Sequence, residues 1–412
     1  MNIASILGSL GGPVLVAIVL FVLGIVFRAG FSKSLRGSIY AGIGLAALFV
    51  IVNNATATLT PAIQAFAERF DTNLVVTDVG WASAGIAFTW PGLAFVIMAT
   101  LVVNVILLTF KLTKTMWTDI WSIWHGQVVG GFVWYLTDNV ILGVIAAVIF
   151  LTIGSWVGDF TAKKYQEFNG MPGISVPCAV SFLGVFAGPV NKVFDIIPGF
   201  NKLNASPQNI RKTFGIFGEL GVMGTVIGIV IGLLAGYDYA GVLNLGIQVG
   251  VLMIFLSKTV SVLCEGVIPI ANAVNELVSE KFEDREIYVA VDCAALLGHP
   301  SVMASAVIIY PLAVILAIFL PGNGIIPIAS LALIPYWCGA VAPYFKGNVV
   351  RIVTFTLLWM IPVMYIATHM APLHTDVMAE LGLGDPDALS SSFDMGGDVL
   401  GFIITKIFSL FS

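Results

Sequence analysis

The chain has 412 residues, 58% of them apolar and only 10% charged, where soluble proteins are roughly a quarter charged. With a mean hydropathy of +1.01, too few polar side chains exist to cover a water-facing surface, so most of the surface faces lipid and the composition specifies an all-α polytopic membrane protein. A net charge of −5 with 18 scattered basic residues excludes a nucleic-acid footprint, and Cys178, Cys264, Cys293 and Cys338, which lack paired spacing, indicate neither a disulfide framework nor a zinc site.

A helix needs about 20 apolar residues to cross the hydrocarbon core. Runs of that kind begin near Pro13, Ser38, Pro91, Trp117, Asn139, Gly215, Ala240, Pro300, Ile325 and Val349, with a shorter one near Asp398, which predicts about 11 transmembrane helices. The fourth is polar and the eleventh short, and these two have surface helices as their alternative. The first run lacks the basic flank of a signal peptide and is expected to be retained. With the N-terminus outside and 11 spans threaded, 16 of the 18 basic residues fall inside, from Arg28 to Arg351. The segment from Pro372 to Gly397 holds acids and no Lys or Arg. The positive-inside rule therefore predicts the N-terminus outside and the C-terminus cytoplasmic.

Two halves of the chain echo each other. Trp124-His125-Gly126-Gln127-Val128 recurs as Trp337-Cys338-Gly339-Ala340-Val341, Asp138-Asn139-Val140-Ile141 as Gly347-Asn348-Val349-Val350, and Asp78 as Asp292, at offsets of 213, 209 and 214. Five spans per half is an odd number, so the halves run in opposite senses. Inverted five-helix repeats are a transporter architecture with the substrate at the midplane. The predicted division is a first repeat at 1–158, a cytoplasmic connection at 159–214, a second repeat at 215–371, an external loop at 372–397 and a last helix at 398–412. Residues 72–90 and 287–303 read as two re-entrant hairpins lining the cavity, because broken backbone at membrane depth is tolerated only where protein or water covers it.

The motifs Asp78-Val-Gly-Trp81, Asp119-Ile-Trp-Ser-Ile-Trp-His125, Phe217-Gly-Glu219, Leu234-Ala-Gly-Tyr-Asp238, Leu296-Leu-Gly-His299, Leu320-Pro-Gly-Asn323 and Asp394-Met-Gly-Gly397 run nearly end to end. On them the chain resembles the membrane-embedded IIC subunit of the galactitol branch of the bacterial sugar phosphotransferase system. Val291–Ala294 is also similar to the related ascorbate transporter. The resemblance implies an ascorbate/galactitol IIC-like fold, a homodimer in the bacterial inner membrane, and carriage of a sugar alcohol. Phosphorylation falls to a separate IIB protein bearing a phosphocysteine, itself served by IIA. No cofactor, metal or catalytic residue of this chain's own is implied. Two positions depart from the galactitol pattern: Leu220 follows Glu219 where proline is expected, and Cys178 stands where a histidine is expected.

The substrate-binding candidates are Asp292, Glu219, His125, Gln127, Asp78, His299, Trp81 and Cys178. An intramembrane carboxylate is costly and marks function by default; Asp292 and Asp78 accept polyol hydroxyls or cap their hairpins. Glu219 binds substrate or complements a helix dipole. His125 and Gln127 are the polar members of the fourth span, His299 donates to substrate or locks its hairpin, and Trp81 stacks on a sugar face or marks the interface. Cys178 sits at a family-matched position as a weak hydrogen-bonding group. The basic stretch 159–212 docks an acidic IIB partner or anionic lipid, or only sets topology. The alternative function is a proton- or cation-coupled secondary transporter of a small polar solute. An integral membrane enzyme lacks support, since no HExxH or Gly-x-Ser-x-Gly element is present.

Overall fold

The computed structural model describes residues 12–70, 74–117, 121–200, 203, 216, 219–279 and 286–411. Asp119, Phe217, Lys202, Arg211, Lys212, Lys281, Arg285 and the side chain of Cys264 lie outside the described residues. What is described is overwhelmingly helical, as lipid demands of a backbone that must satisfy its own hydrogen bonds.

One group of helices comprises α1 (Gly12–Val26), α2 (Phe31–Phe70), α8 (Leu220–Ala235) and α9 (Tyr239–Ser279), which pack chiefly on one another. At 1.5 Å per residue, the 40 residues of α2 and the 41 of α9 extend to about 60 Å, twice the ~30 Å hydrocarbon core. Small residues let them touch backbone to backbone. A Cβ on Gly266 would sit 2.4 Å from the Ala41 nitrogen, and one on Gly228 would sit 2.7 Å from the Leu245 carbonyl. Close approach of this kind is how helices associate where lipid removes the hydrophobic drive.

The second group holds α3 (Ala84–Thr89), α4 (Leu93–Thr109), α5 (Trp124–Thr137), α6 (Val140–Asn169), α7 (Phe182–Ile196), α10 (Pro300–Phe319), α11 (Ile334–Val341), α12 (Val349–Glu380) and α13 (Val399–Phe408). Helices α6, α10 and α12 are long and apolar enough to cross a membrane, as is Ala179–Ile196, a helical stretch inside the 159–214 segment expected as an inner connection. The segment Gly80–Thr89 and α4 form a pair bent by 88°. Trp90, 1% exposed, fills the corner, and its indole lies in a slot made by Gly92, Gly130 and Gly143. Both matched Asn positions are helix caps: Asn139 accepts from Ile141 N and Leu142 N, and Asn348 accepts from Arg351 N. Each follows a left-handed residue, Asp138 (φ 50°) and Gly347 (φ 72°).

Five very short strands hold the broken segments together. Strand β1 (Thr77–Asp78) runs parallel to β5 (Ser390–Ser391), and Val76 bridges to Ile325 on its other side. Strand β4 (Tyr288–Ala290) lies between β2 (Thr115–Met116) and β3 (Ile174–Ser175), again parallel. The hydrogen bonds follow one plan. Val76, Thr77 and Val79 donate to Gly324, Leu389 and Ser391, while Tyr288, Val289 and Val291 donate to Lys114, Gly173 and Ser175. By this plan Asp78, paired with Ser391, is the counterpart of Ala290, paired with Ser175, two positions before Asp292, so the 214-residue offset between the two aspartates is not the offset of the strands.

The 372–397 segment, expected as an external loop, is divided. Helix α12 continues to Glu380, residues 384–387 are exposed, and Ser390–Met395 are buried beside β1. Asp394 thus belongs to the interior.

Candidate functional site

Several buried ionisable groups meet where the ends of α5, α7, α11 and α13 converge. His125, in the first turn of α5, has its Nε2 3.0 Å from Asp394 Oδ1, and their side chains are only 3% and 6% exposed. On the other side of the ring, Cys178 Sγ lies 4.0 Å from Nδ1, and the thiols of Cys178 and Cys293, both free and buried, are neighbours. Asp292 adjoins Cys293 and is half-buried. Trp337 stacks on Phe393 with the rings 6.0 Å apart and 5° from parallel. A cavity of about 10 Å³ is lined by Trp337, Trp359, Phe393, Asp394 and Asp398 among others. It has room for about one water. Acceptor carboxylates, an imidazole and flat aromatic faces together suit a ligand with hydroxyls on one side and C–H groups on the other.

The other sequence candidates are distributed differently. Asp78 is 0% exposed, and both of its oxygens are fully engaged. Oδ1 accepts from Gly80 N at 3.0 Å and Ser330 Oγ at 2.6 Å; Oδ2 accepts from Ile328 N and Ser330 N, each at 2.7 Å. Gln127 has its Oε1 on Trp90 Nε1 at 2.8 Å and its Nε2 on the Leu93 carbonyl at 2.9 Å, so its amide holds the α3–α4 corner. Trp81 is buried, edge-on to Tyr336 at 5.4 Å. His299 caps α10 by accepting from Ser301 N, and its ring packs on Phe168 at 4.4 Å. Glu219 is exposed at the start of α8, in a groove formed by α8 and α9 residues that includes Lys258. The structure therefore gathers His125, Cys178 and Asp292 at one place and leaves Asp78, Gln127, Trp81, His299 and Glu219 in surrounding contacts.

At the edge of the β2–β4–β3 sheet, Asp159 accepts from Thr113 Oγ1, Lys114 N and Thr115 Oγ1. Lys114 pairs with Glu286. That bond holds the Glu286 carboxyl below its ordinary range and raises the Lys114 ammonium. Among the described residues, no three of His, Cys, Asp and Glu converge in a way that would hold a metal ion.

Residues 5–387 match the sequence profile of the PTS system sugar-specific permease component, EIIC-GAT. The chain belongs to this permease family. It is 31% identical over 407 residues to an Escherichia coli (strain K12) protein named as a permease IIC component, covering 98% of this chain and 93% of that one. It is 30% identical over 404 residues to the galactitol-specific EIIC components of E. coli K12 and E. coli O157:H7, covering 97% of this chain and 89% of each. The chain is thus an EIIC-GAT sugar permease component, helical and membrane-embedded.

In this EIIC-GAT chain, sequence reasoning missed Asp394, Asp398, Cys293 and His374. Asp394 belongs to the Asp394–Gly397 motif, but the acids of 372–397 and its lack of Lys and Arg make the segment read as an external loop. His374, near the C-terminal end of α12, is 0% exposed, with Nε2 2.7 Å from Ser83 Oγ and Nδ1 3.3 Å from Ser390 Oγ. A buried histidine among hydroxyls has no signature in sequence, because its partners come from distant elements.

Proposed function

We propose that this chain is the translocating permease of a sugar-alcohol phosphotransferase, with a galactitol-like polyol as its cargo. The observation that carries this reading is the buried His125–Asp394 pair set against Trp337 and Phe393. Polyol hydroxyls donate to Asp394, Asp398 and Asp292 and accept from His125, while the aromatic rings pack on the C–H face. A thiol at Cys178 offers a weak donor where an imidazole would offer a strong one, which adjusts the preference among polyols. A cavity the size of one water is far smaller than a hexitol, so loading requires the broken segments to part. This supports alternating exposure of one site.

The shared strand plan and the paired Asn caps support two related repeats of opposite orientation, with the N-terminus outside and the C-terminus cytoplasmic. The permease works as a homodimer in the bacterial inner membrane and presents its cargo to a IIB phosphocysteine at the basic inner face, with IIA upstream. Reconstituted vesicles test the reading. Galactitol should enter and be phosphorylated only when IIA, IIB and phosphoenolpyruvate are supplied, and Asp394→Asn or His125→Gln should weaken galactitol binding by about tenfold or more, as expected for a charge-assisted bond. Uptake driven by a proton or sodium gradient without those partners would overturn it.

A further inference from the structure

Asp394 sits on a non-helical loop before α13, a poor platform for a binding carboxylate unless something registers it. Two sets of bonds do so. On one side Ser83 Oγ donates to Ser392 Oγ at 2.9 Å, and Ser392 Oγ accepts from Met395 N at 3.2 Å and Gly396 N at 3.4 Å. On the other side Ser330 Oγ accepts from Phe393 N at 3.0 Å while donating to Asp78 Oδ1 at 2.6 Å.

We infer that Asp78 is a positioning residue for the substrate site, acting through Ser330 and the Phe393 amide on Asp394. Asp78 is enclosed, and all of its acceptor positions are occupied by protein, so it does not reach substrate. A serine hydroxyl has one proton and a free rotor. By accepting the hydrogen bond from that hydroxyl, Asp78 sets the rotor and turns the Ser330 lone pairs toward Phe393 N–H. Phe393 is then held at both ends, by its amide and by its ring on Trp337. The next residue is Asp394, whose Oδ1 meets His125. Asp78 also accepts from Ile328 N and Ser330 N, so the relay shares one carboxylate with the turn carrying Ser330. The first bent segment, the second half of the chain and the binding loop are thereby referenced to a single buried charge.

The inference rests on the reading that Asp394 and His125 hold the cargo, and its test separates the two. Purified full-length protein carrying S330A, S330T, D394N or S330A with D394N is compared in galactitol affinity, in thermal stability and in the rate of Cys178 alkylation by N-ethylmaleimide, read by peptide mass spectrometry. S330A should weaken galactitol binding about five- to tenfold, the loss of one buried hydrogen bond, and speed Cys178 alkylation. S330T, which keeps the hydroxyl, should restore both, and the double variant should be no worse than D394N alone. Wild-type behaviour of S330A, effects that multiply with D394N, or no rescue by S330T would overturn the relay. If S330A does not fold, S330C carries the same comparison. Wild-type affinity in D394N, or no galactitol binding by the unmodified protein, would remove the substrate reading instead, and the alkylation arm then decides the relay on its own.

Discussion

Replacing Asp78 with Asn separates a structural carboxylate from a substrate contact. Four donors converge on it, two on each oxygen. An asparagine offers one carbonyl oxygen and one NH2 group, so either amide orientation satisfies two donors and turns N–H groups against the other two. If the oxygen faces Gly80 N and Ser330 Oγ, the amides of Ile328 and Ser330 are stranded; the flipped amide strands the opposite pair. Each buried unsatisfied donor costs about 1–3 kcal/mol, which gives a destabilisation of about 2–6 kcal/mol before any relaxation. Thermal unfolding in detergent, followed by loss of the monodisperse fraction on size exclusion, should show D78N well below the unmodified protein. A D78N protein of unchanged stability that has lost galactitol binding would refute this role for Asp78, because that pattern belongs to a direct contact.

Gln127→Leu should also destabilise, by about 1–3 kcal/mol for each of the two partners it strands, Trp90 Nε1 and the Leu93 carbonyl; lost affinity at full stability would return Gln127 to the substrate. Gly80→Ala places a Cβ 2.8 Å from that of Ala329 and 2.9 Å from its carbonyl carbon, at φ +53°, and should cost about 1–3 kcal/mol or more, seen as a fall in the yield of folded protein; a normal yield would show that the crossing of these two turns can open. The Lys114–Glu286 pair contributes above the ordinary carboxylate value of 4.5 and below the ordinary ammonium value of 10.5. Its contribution is lost as pH falls through the depressed Glu286 value or rises through the elevated Lys114 one. Because both side chains are largely exposed, hydrogen exchange at Tyr288–Ala290 should speed up only modestly in about 1 M salt, where the Debye length is ~3 Å, and a salt-insensitive rate would show that the strands alone hold this edge. Galactitol should slow alkylation of Cys178, which is 3% exposed and beside His125; equal rates with and without it would place the cargo elsewhere.

Composition and pattern determine much about this protein. An apolar fraction of 58% with 10% charge admits only a lipid-facing helical body, whatever the packing. The long helices α6 and α12, the matched positions Asn139 and Asn348, and the motifs that carry the family resemblance are local, so a few neighbouring residues suffice to find them, although that the two Asn cap their helices is seen only in the structure. His125, Cys178 and Asp292 were also legible as polar groups in apolar surroundings. What could not be read is which polar groups are engaged by protein. Asp78 and Gln127 look like binding residues along the chain, yet the donors that occupy Asp78 lie mostly some 250 residues away. Asp394 looks like a loop acid until His125, 269 residues distant, compensates its burial. A two-residue strand has no period to detect, so the stretches around Ser175 and Ser390 read as connections when they are interior ladder partners. The sequence determines which residues cannot face lipid unaided; only the tertiary structure decides who satisfies them, because hydrogen-bond partners at membrane depth are supplied by whichever segment the fold brings alongside.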